Sequence, residues 1–119
     1  MNVPHTLSIP AGEAIGSHLR VKIHTGGKCF IAAAADAAKV VGHNAYGPVD
    51  NTVTGRDIVA LQQKNAGICY AVAAEQLAVA AEFKGADGGK IQAVGGGTAE
   101  GVLLQAAAGD GSIVEVLYY

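Results

Sequence analysis

Residues 27–42 read GKCFIAAAADAAKVVG, and whether the alanine-rich middle is a helix or a connection decides what kind of fold this is. Taken alone, AAAADAAK (32–39) is excellent helix by intrinsic propensity. Its reading changes when the chain is laid over itself. Displaced by 62 positions, residues 11–31 (AGEAIGSHLRVKIHTGGKCFI) fall without gaps on residues 73–93 (AAEQLAVAAEFKGADGGKIQA). Ala11/Ala73, Glu13/Glu75, Lys22/Lys84 and the triplet Gly26-Gly27-Lys28 over Gly88-Gly89-Lys90 are identical. After a three-residue deletion Gly42 falls over Gly101, and after another GRDIVAL (55–61) falls over GSIVEVL (111–117). An internal duplication organises the chain, with halves at about 11–61 and 73–119.

The counterpart of the alanine run is VGGGTAEG (94–101). Three successive glycines would cost a helix roughly 1 kcal/mol each relative to alanine. If the two copies share a path, neither needs a helix there, and AAAADAAK becomes the end of a strand and a compact connection with at most one helical turn. The helix-friendly stretch YAVAAEQLAVAAEF (70–83) is answered the same way by SIPAGEAIGSHLRV, with Pro10, Gly12 and Gly16.

Each copy therefore reads as short strands broken by turns. In LRVKIHTGGKCFIA, apolar Leu19, Val21 and Ile23 alternate with polar Arg20, Lys22 and His24, the chain turns at Gly26-Gly27, and a strand resumes at Cys29–Ile31. EFKGADGGKIQAV repeats the pattern. Further strands are expected at 40–46 and 101–105, with closing strands at 57–61 and 113–118. The expectation is a mainly β, single-domain barrel or sandwich-like fold over residues 11–119, preceded by an N-terminal arm over residues 1–10.

Composition narrows the function. Half of the 119 residues are hydrophobic, but alanine supplies much of that, with no Trp, two Phe and four Tyr. A core so poor in large side chains gains from burial against a partner. Net charge is −2 and the eight Lys and Arg are dispersed, so no basic stripe offers itself to nucleic acid. The start MNVPHTLSIPAGEA lacks the pattern of a signal peptide, and no run of about 20 apolar residues occurs to cross a membrane. Synthesis in a reducing cytoplasm is the expected setting.

No catalytic, cofactor or metal site assembles. Cys29 and Cys69 are forty positions apart, and their counterparts Ile91 and Leu7 mark both as small apolar core residues. His5, His18, His24 and His43 have no spacing that would bring two imidazoles to one metal, and exposed or turn positions are expected for them. Gly95-Gly96-Gly97-Thr98 lacks the Lys-Ser/Thr of a phosphate loop. Ser8, Ser17 and Ser112 sit in no nucleophile motif. Glu13 and Glu75, being equivalent, suggest one turn-capping role used twice rather than an acid–base pair. Lys28 and Lys90 follow hairpin turns, where a carrier module displays a modified lysine, though solvated turn lysines are the plainer reading.

The hairpin VKIHTGGKCFIA, the following DAAKVVGHNAYG and the ending ADGGKIQAVGGGTAEGVLLQAAAGDGSIVEVLYY together resemble the tailed-phage capsid cement, or head decoration, proteins. That family pairs a dGGK strand with a GvaLeAaaaGdlVeVll ending, matched here by Gly101–Asp110 and Ile113–Leu117. The pattern carries Gly-Asp where this chain has Ala80-Ala81. The resemblance covers most of residues 11–119. It implies a small β-barrel or β-tulip-like domain, non-enzymatic and without cofactor, that binds the exterior of an icosahedral head. The implied partners are the major capsid protein and further copies of itself, a trimer being suggested by the family and a dimer remaining open.

Two terminal segments are the candidate contacts for capsid or neighbouring subunit. Asn2, Val3, His5, Leu7 and Ile9 belong to an arm that could add a strand to another sheet edge, or could fray. Tyr118 and Tyr119 are residue types favoured as interface anchors, or could cap this domain's own core. The rival classes are a carrier-type β module using Lys28 or Lys90, and another virion component such as a tail or fibre domain.

Overall fold

The duplicated GGK hairpin forms twice in the computed structural model, which describes residues 6–24, 26–65 and 68–119. In the first copy β2 (Arg20–Ile23) turns into β3 (Cys29–Ile31), and in the second β7 (Glu82–Gly85) turns into β8 (Ile91–Ala93). Gly27 and its counterpart Gly89 both take left-handed backbone, with φ of 77° and 78°, which glycine adopts without penalty. Beside each hairpin lie β4 (Val40–Asn44) or β9 (Gly101–Leu103), then β5 (Ile58–Gln63) or β10 (Ile113–Tyr118), then β1 (Thr6–Pro10) or β6 (Ile68–Val72). The result is two antiparallel five-stranded sheets with one topology, β1-β5-β4-β2-β3 and β6-β10-β9-β7-β8.

Register confirms the duplication and corrects one part of it. Val21 faces Gly42 where Phe83 faces Gly101, as the first deletion requires. On the closing strand Leu7 faces Leu61 where Cys69 faces Val116, so Leu61 is the counterpart of Val116 and not of Leu117. The one-residue slip matters because successive strand residues point to opposite faces: Leu61 and Val116 are buried and Leu117 is exposed. The repeat even extends to unusual backbone. His18 and Ala80, which are 62 positions apart, are the two non-glycine residues with positive φ among those described, at 64° and 68°.

The alanine run ends a strand and then forms a short 3-10 segment, Ala34–Lys39, interrupted at Asp36. Asp36 holds it by accepting from the Ala33 N–H at 2.8 Å and the Lys22 ammonium at 2.7 Å. A second 3-10 turn, Asp87–Gly89, sits inside the other hairpin. Residues 70–83 form no helix, as their glycine- and proline-bearing counterpart requires.

Neither sheet closes into a barrel, so that part of the expectation gives way to two open sheets. One parallel bridge per half, Ala11 to Cys29 and Ala73 to Ile91, brings the end of the outer strand against the hairpin edge without extending into a ladder. The duplicated glutamates stand where the ladder stops. Glu13 accepts the Ile31 N–H at 2.7 Å and Glu75 accepts the Ala93 N–H at 2.9 Å, so a carboxylate serves the edge strand as a neighbouring strand would. This is one role used twice, as expected, but it serves a strand edge and not a turn.

Each half has its own apolar cluster. Ala11, Ile15, Val21, Cys29, Val59 and Leu61 fill the first, and Ala73, Leu77, Phe83, Ile91, Val114 and Val116, their structural counterparts in order, fill the second. The segment read as an arm is in part a strand of the fold: residues 6–10 form β1 and pair along their length with β5. Asn2, Val3 and His5 lie outside the described residues.

Candidate interaction surfaces

The halves meet along a polar seam that periodicity assigns to solvent. Arg20 is wholly buried, its Nη2 donating to Glu100 Oε1 at 2.9 Å, while Glu100 Oε2 accepts the Gly85 N–H at 2.7 Å. Gly85 leaves room for this: a Cβ would lie 1.9 Å from Arg20 Nη1, so the guanidinium would have to move. The Nε and Nη1 atoms of Arg20 find no partner among the described residues. His43, expected at the surface or in a turn, is also buried. Its Nδ1 lies 3.0 Å from the His18 carbonyl, which can only accept, so Nδ1 carries the proton and Nε2 accepts from the Tyr118 hydroxyl at 2.6 Å. Burial holds the His43 imidazole down to about 4, and burial pushes the Tyr118 phenol well above its usual range.

Tyr118 therefore caps the protein's own core and is not an external anchor. Its ring stands edge-on to Phe83, centroids 5.3 Å apart, with the Lys64 ammonium 6.0 Å over its centroid. Tyr119 is exposed, and its hydroxyl donates to Glu82. Leu7 is exposed and Ile9 half-buried, and both line a groove of about 330 Å³ on the first half together with Ile23, Val41 and Gln63.

The second half carries the complementary anomaly, an apolar sheet face left largely open, its β6 edge meeting the first half where Tyr70 packs against His18 and Ile68 lies near Gln62. Ile68, Tyr70, Ile113 and Leu117 are 41–54% exposed on neighbouring strands β6 and β10, where Leu117 pairs with Ile68 and Val102. Only Glu82 and Glu115 break it with negative charge, while Lys84 reaches over Gly97 at the hairpin side. Contiguous apolar surface of this kind marks interaction sites. Leu7 and Ile9 are expected as contacts from a strand-like arm, and Tyr119 from its residue type at the C-terminus; Leu7 and Ile9 line the groove of the first half. The face on β6 and β10 was legible only as Ile113 and Leu117 alternating with core residues in a strand already crowded with apolar side chains.

The chemistry-bearing residues stay apart. No group of three His, Cys, Asp or Glu that could hold a metal occurs among the described residues. Cys29 and Cys69 are buried and unpaired, as their apolar counterparts predict, and burial pushes both thiols up to about 11. Lys90 pairs with Asp110 at 2.8 Å, and Lys28 is exposed beyond its hairpin turn. A scan against protein-family models returns no match, and a search of curated proteins finds none similar.

Proposed function

We propose that this protein is a non-enzymatic capsid decoration, or cement, protein, made in the host cytoplasm and carried on the exterior of a tailed-phage head. It binds the major capsid protein and other copies of itself across neighbouring capsomers, and stabilises the shell through many weak contacts acting together. Neither nucleic acid nor membrane is a partner in this reading.

The observation that carries it is the largely open apolar face of β6 and β10, where Ile68, Tyr70, Ile113 and Leu117 are exposed. The β10 side of that face lies on the C-terminal segment whose sequence resembles the cement family. A second support is local: Ala80 takes a φ of 68°, a conformation that favours glycine, at the position where the family pattern has glycine.

The test is co-sedimentation with capsids built from the cognate major capsid protein, followed by heat and low-salt challenge. The reading expects saturable binding, density on the exterior, and raised resistance to rupture. Absence of binding with unchanged resistance defeats it. The exposed Lys28 keeps the carrier reading in view, and an intact mass carrying a lipoyl or biotinyl adduct would establish that reading instead.

A further inference from the structure

The way the first half covers the second provides a template for a contact that the first half lacks. Across the seam, the second half receives the strands of the first on Cys69, Gly85, Glu100 and Tyr118, flanked by contacts of Tyr70 with His18 and of Asp87 and Gly89 with Ala34 and Ala32. The Cys69 thiol faces the Gln62 and Gln63 carbonyls at 3.9 and 3.8 Å, Tyr118 takes His43, and Gly85 and Glu100 take Arg20. By register, the equivalents of these four in the first half are Leu7, Ile23, Val41 and Gln63. All four line the open groove. What is a covered surface in one half is thus an uncovered apolar groove in the other.

The covering side is duplicated as well. Arg20, His43 and Gln62 form one row across β2, β4 and β5, each paired with the next. The equivalent row across β7, β9 and β10 is Glu82, Val102 and Leu117, again paired in order, and it continues to Ile68 on β6. The chemistry has changed in step on both sides. A polar row sits over Glu100 and Tyr118 within the chain, whereas the equivalent row, apolar except for Glu82, corresponds to a groove of Leu7, Ile23 and Val41. Glu82 would fall beside Ile23, which shares a cleft with Lys39 and with Lys22, the latter already paired with Asp36, so Lys39 supplies the opposite charge at that end of the row. Tyr119, the counterpart of Lys64, stands exposed at the edge of the row as Lys64 stands over Tyr118.

The geometry points to head-to-tail self-association: the Glu82–Val102–Leu117 row of one copy seats in the Leu7–Ile23–Val41 groove of the next, repeating between chains the contact made within each. Such a contact is heterologous and builds a ring or a chain of copies rather than a two-fold dimer. The inference rests on the self-association part of the proposed function and not on shell binding, and it is tested without capsids.

The full chain, followed by sedimentation velocity and light scattering, should associate with rising concentration. Leu7→Asp, which blocks the groove, and Leu117→Asp, which blocks the row, should each be monomeric with the wild-type circular dichroism spectrum. Mixed in equal amounts, they should form a 1:1 dimer that grows no further, because one good groove and one good row remain. Ile23→Arg and Tyr119→Arg, both at exposed positions, replace either variant if it folds poorly. A wild-type chain monomeric up to the highest soluble concentration, single variants that still associate, or a mixture that stays monomeric each overturns the inference. Failed capsid binding with intact head-to-tail association would count against the proposed function alone.

Discussion

Arg20 of the first half and Glu100 of the second form an ion pair at 2.9 Å, with the arginine wholly buried and the glutamate side chain 13% exposed. Removing one partner strands the other's charge away from water, which typically costs about 3–5 kcal/mol. Glu100→Ala should therefore lower the urea midpoint sharply. Arg20→Met combined with Glu100→Gln should recover most of the loss, since the glutamine still accepts from Gly85 and no charge is left unpaired. A double variant as unstable as the single one would show that the pair stabilises the seam by more than mutual neutralisation.

The His43–Tyr118 contact sets a pH dependence. The folded imidazole titrates near 4 against 6.5 for the ordinary side chain, so below 6.5 the unfolded chain binds a proton that the folded chain refuses. The contribution is complete above pH 6.5 and falls away as the pH drops toward 4, a loss on the order of 3 kcal/mol over that window. Asp36 and Asp50, held low chiefly by hydrogen bonds from Lys22 and Thr52, lose stability at more acid pH in the same direction. The comparison that isolates the histidine is therefore between wild type and His43→Gln. Unfolding free energies measured from pH 7.5 to 4 should show a slope smaller by about one proton in the variant, and equal slopes would contradict the assignment.

Gly42 and Gly101, equivalent in the repeat, allow adjacent strands to approach closely. A Cβ at Gly42 would lie 2.0 Å from the Gln62 carbonyl oxygen, and one at Gly101 would lie 2.2 Å from that of Leu117. Backbone cannot swing aside as a side chain can, so Gly42→Ala and Gly101→Ala should each destabilise severely, lowering the melting temperature by many degrees or abolishing soluble expression. Gly26→Ala, with open space around its Cβ position, should be nearly silent by the same measurement.

The buried thiols give a chemical test of core order. With both pushed up to about 11 and without exposed surface, Cys29 and Cys69 should resist an aromatic disulfide reagent at pH 8 and react together on unfolding in urea. Fast labelling of Cys69 alone would mean that the seam opens, because its thiol lies against the Gln62 and Gln63 carbonyls from the other half.

The fold was legible wherever two copies could be compared. Glycine-bearing counterparts overruled alanine propensity at 32–39 and 70–83, and the hairpins, the closing strands and the shared role of Glu13 and Glu75 followed from alternation and identity. What stayed hidden depends on how the halves pack against each other. Alternation puts Arg20 outside and Ile23 inside on β2, yet Arg20 is wholly buried and Ile23 is 37% exposed. The outer face of the first sheet is covered by the second half, and the inner end of the same strand opens into the groove. The buried His43–Tyr118 pair escaped for the same reason: periodicity within a strand carries no information about a neighbour some 75 residues away in sequence.

Backbone strain at Ala80 yields the last prediction. Its φ of 68° places an exposed alanine in a region where a Cβ costs about 1–2 kcal/mol, part of which glycine gives back through its greater freedom when unfolded. Ala80→Gly should therefore stabilise the protein by up to about 1 kcal/mol, visible as a raised urea midpoint with an unchanged slope. The equivalent change at His18 should not help. That side chain packs against Tyr70, ring centroids 5.5 Å apart, across the seam, so the strain relieved at position 18 is offset by lost contact between the halves. A fall in stability on Ala80→Gly would mean that the left-handed turn is set by its flanking hydrogen bonds, Ala80 N–H to Leu103 and Ala81 N–H to Ala78, at no cost to the alanine.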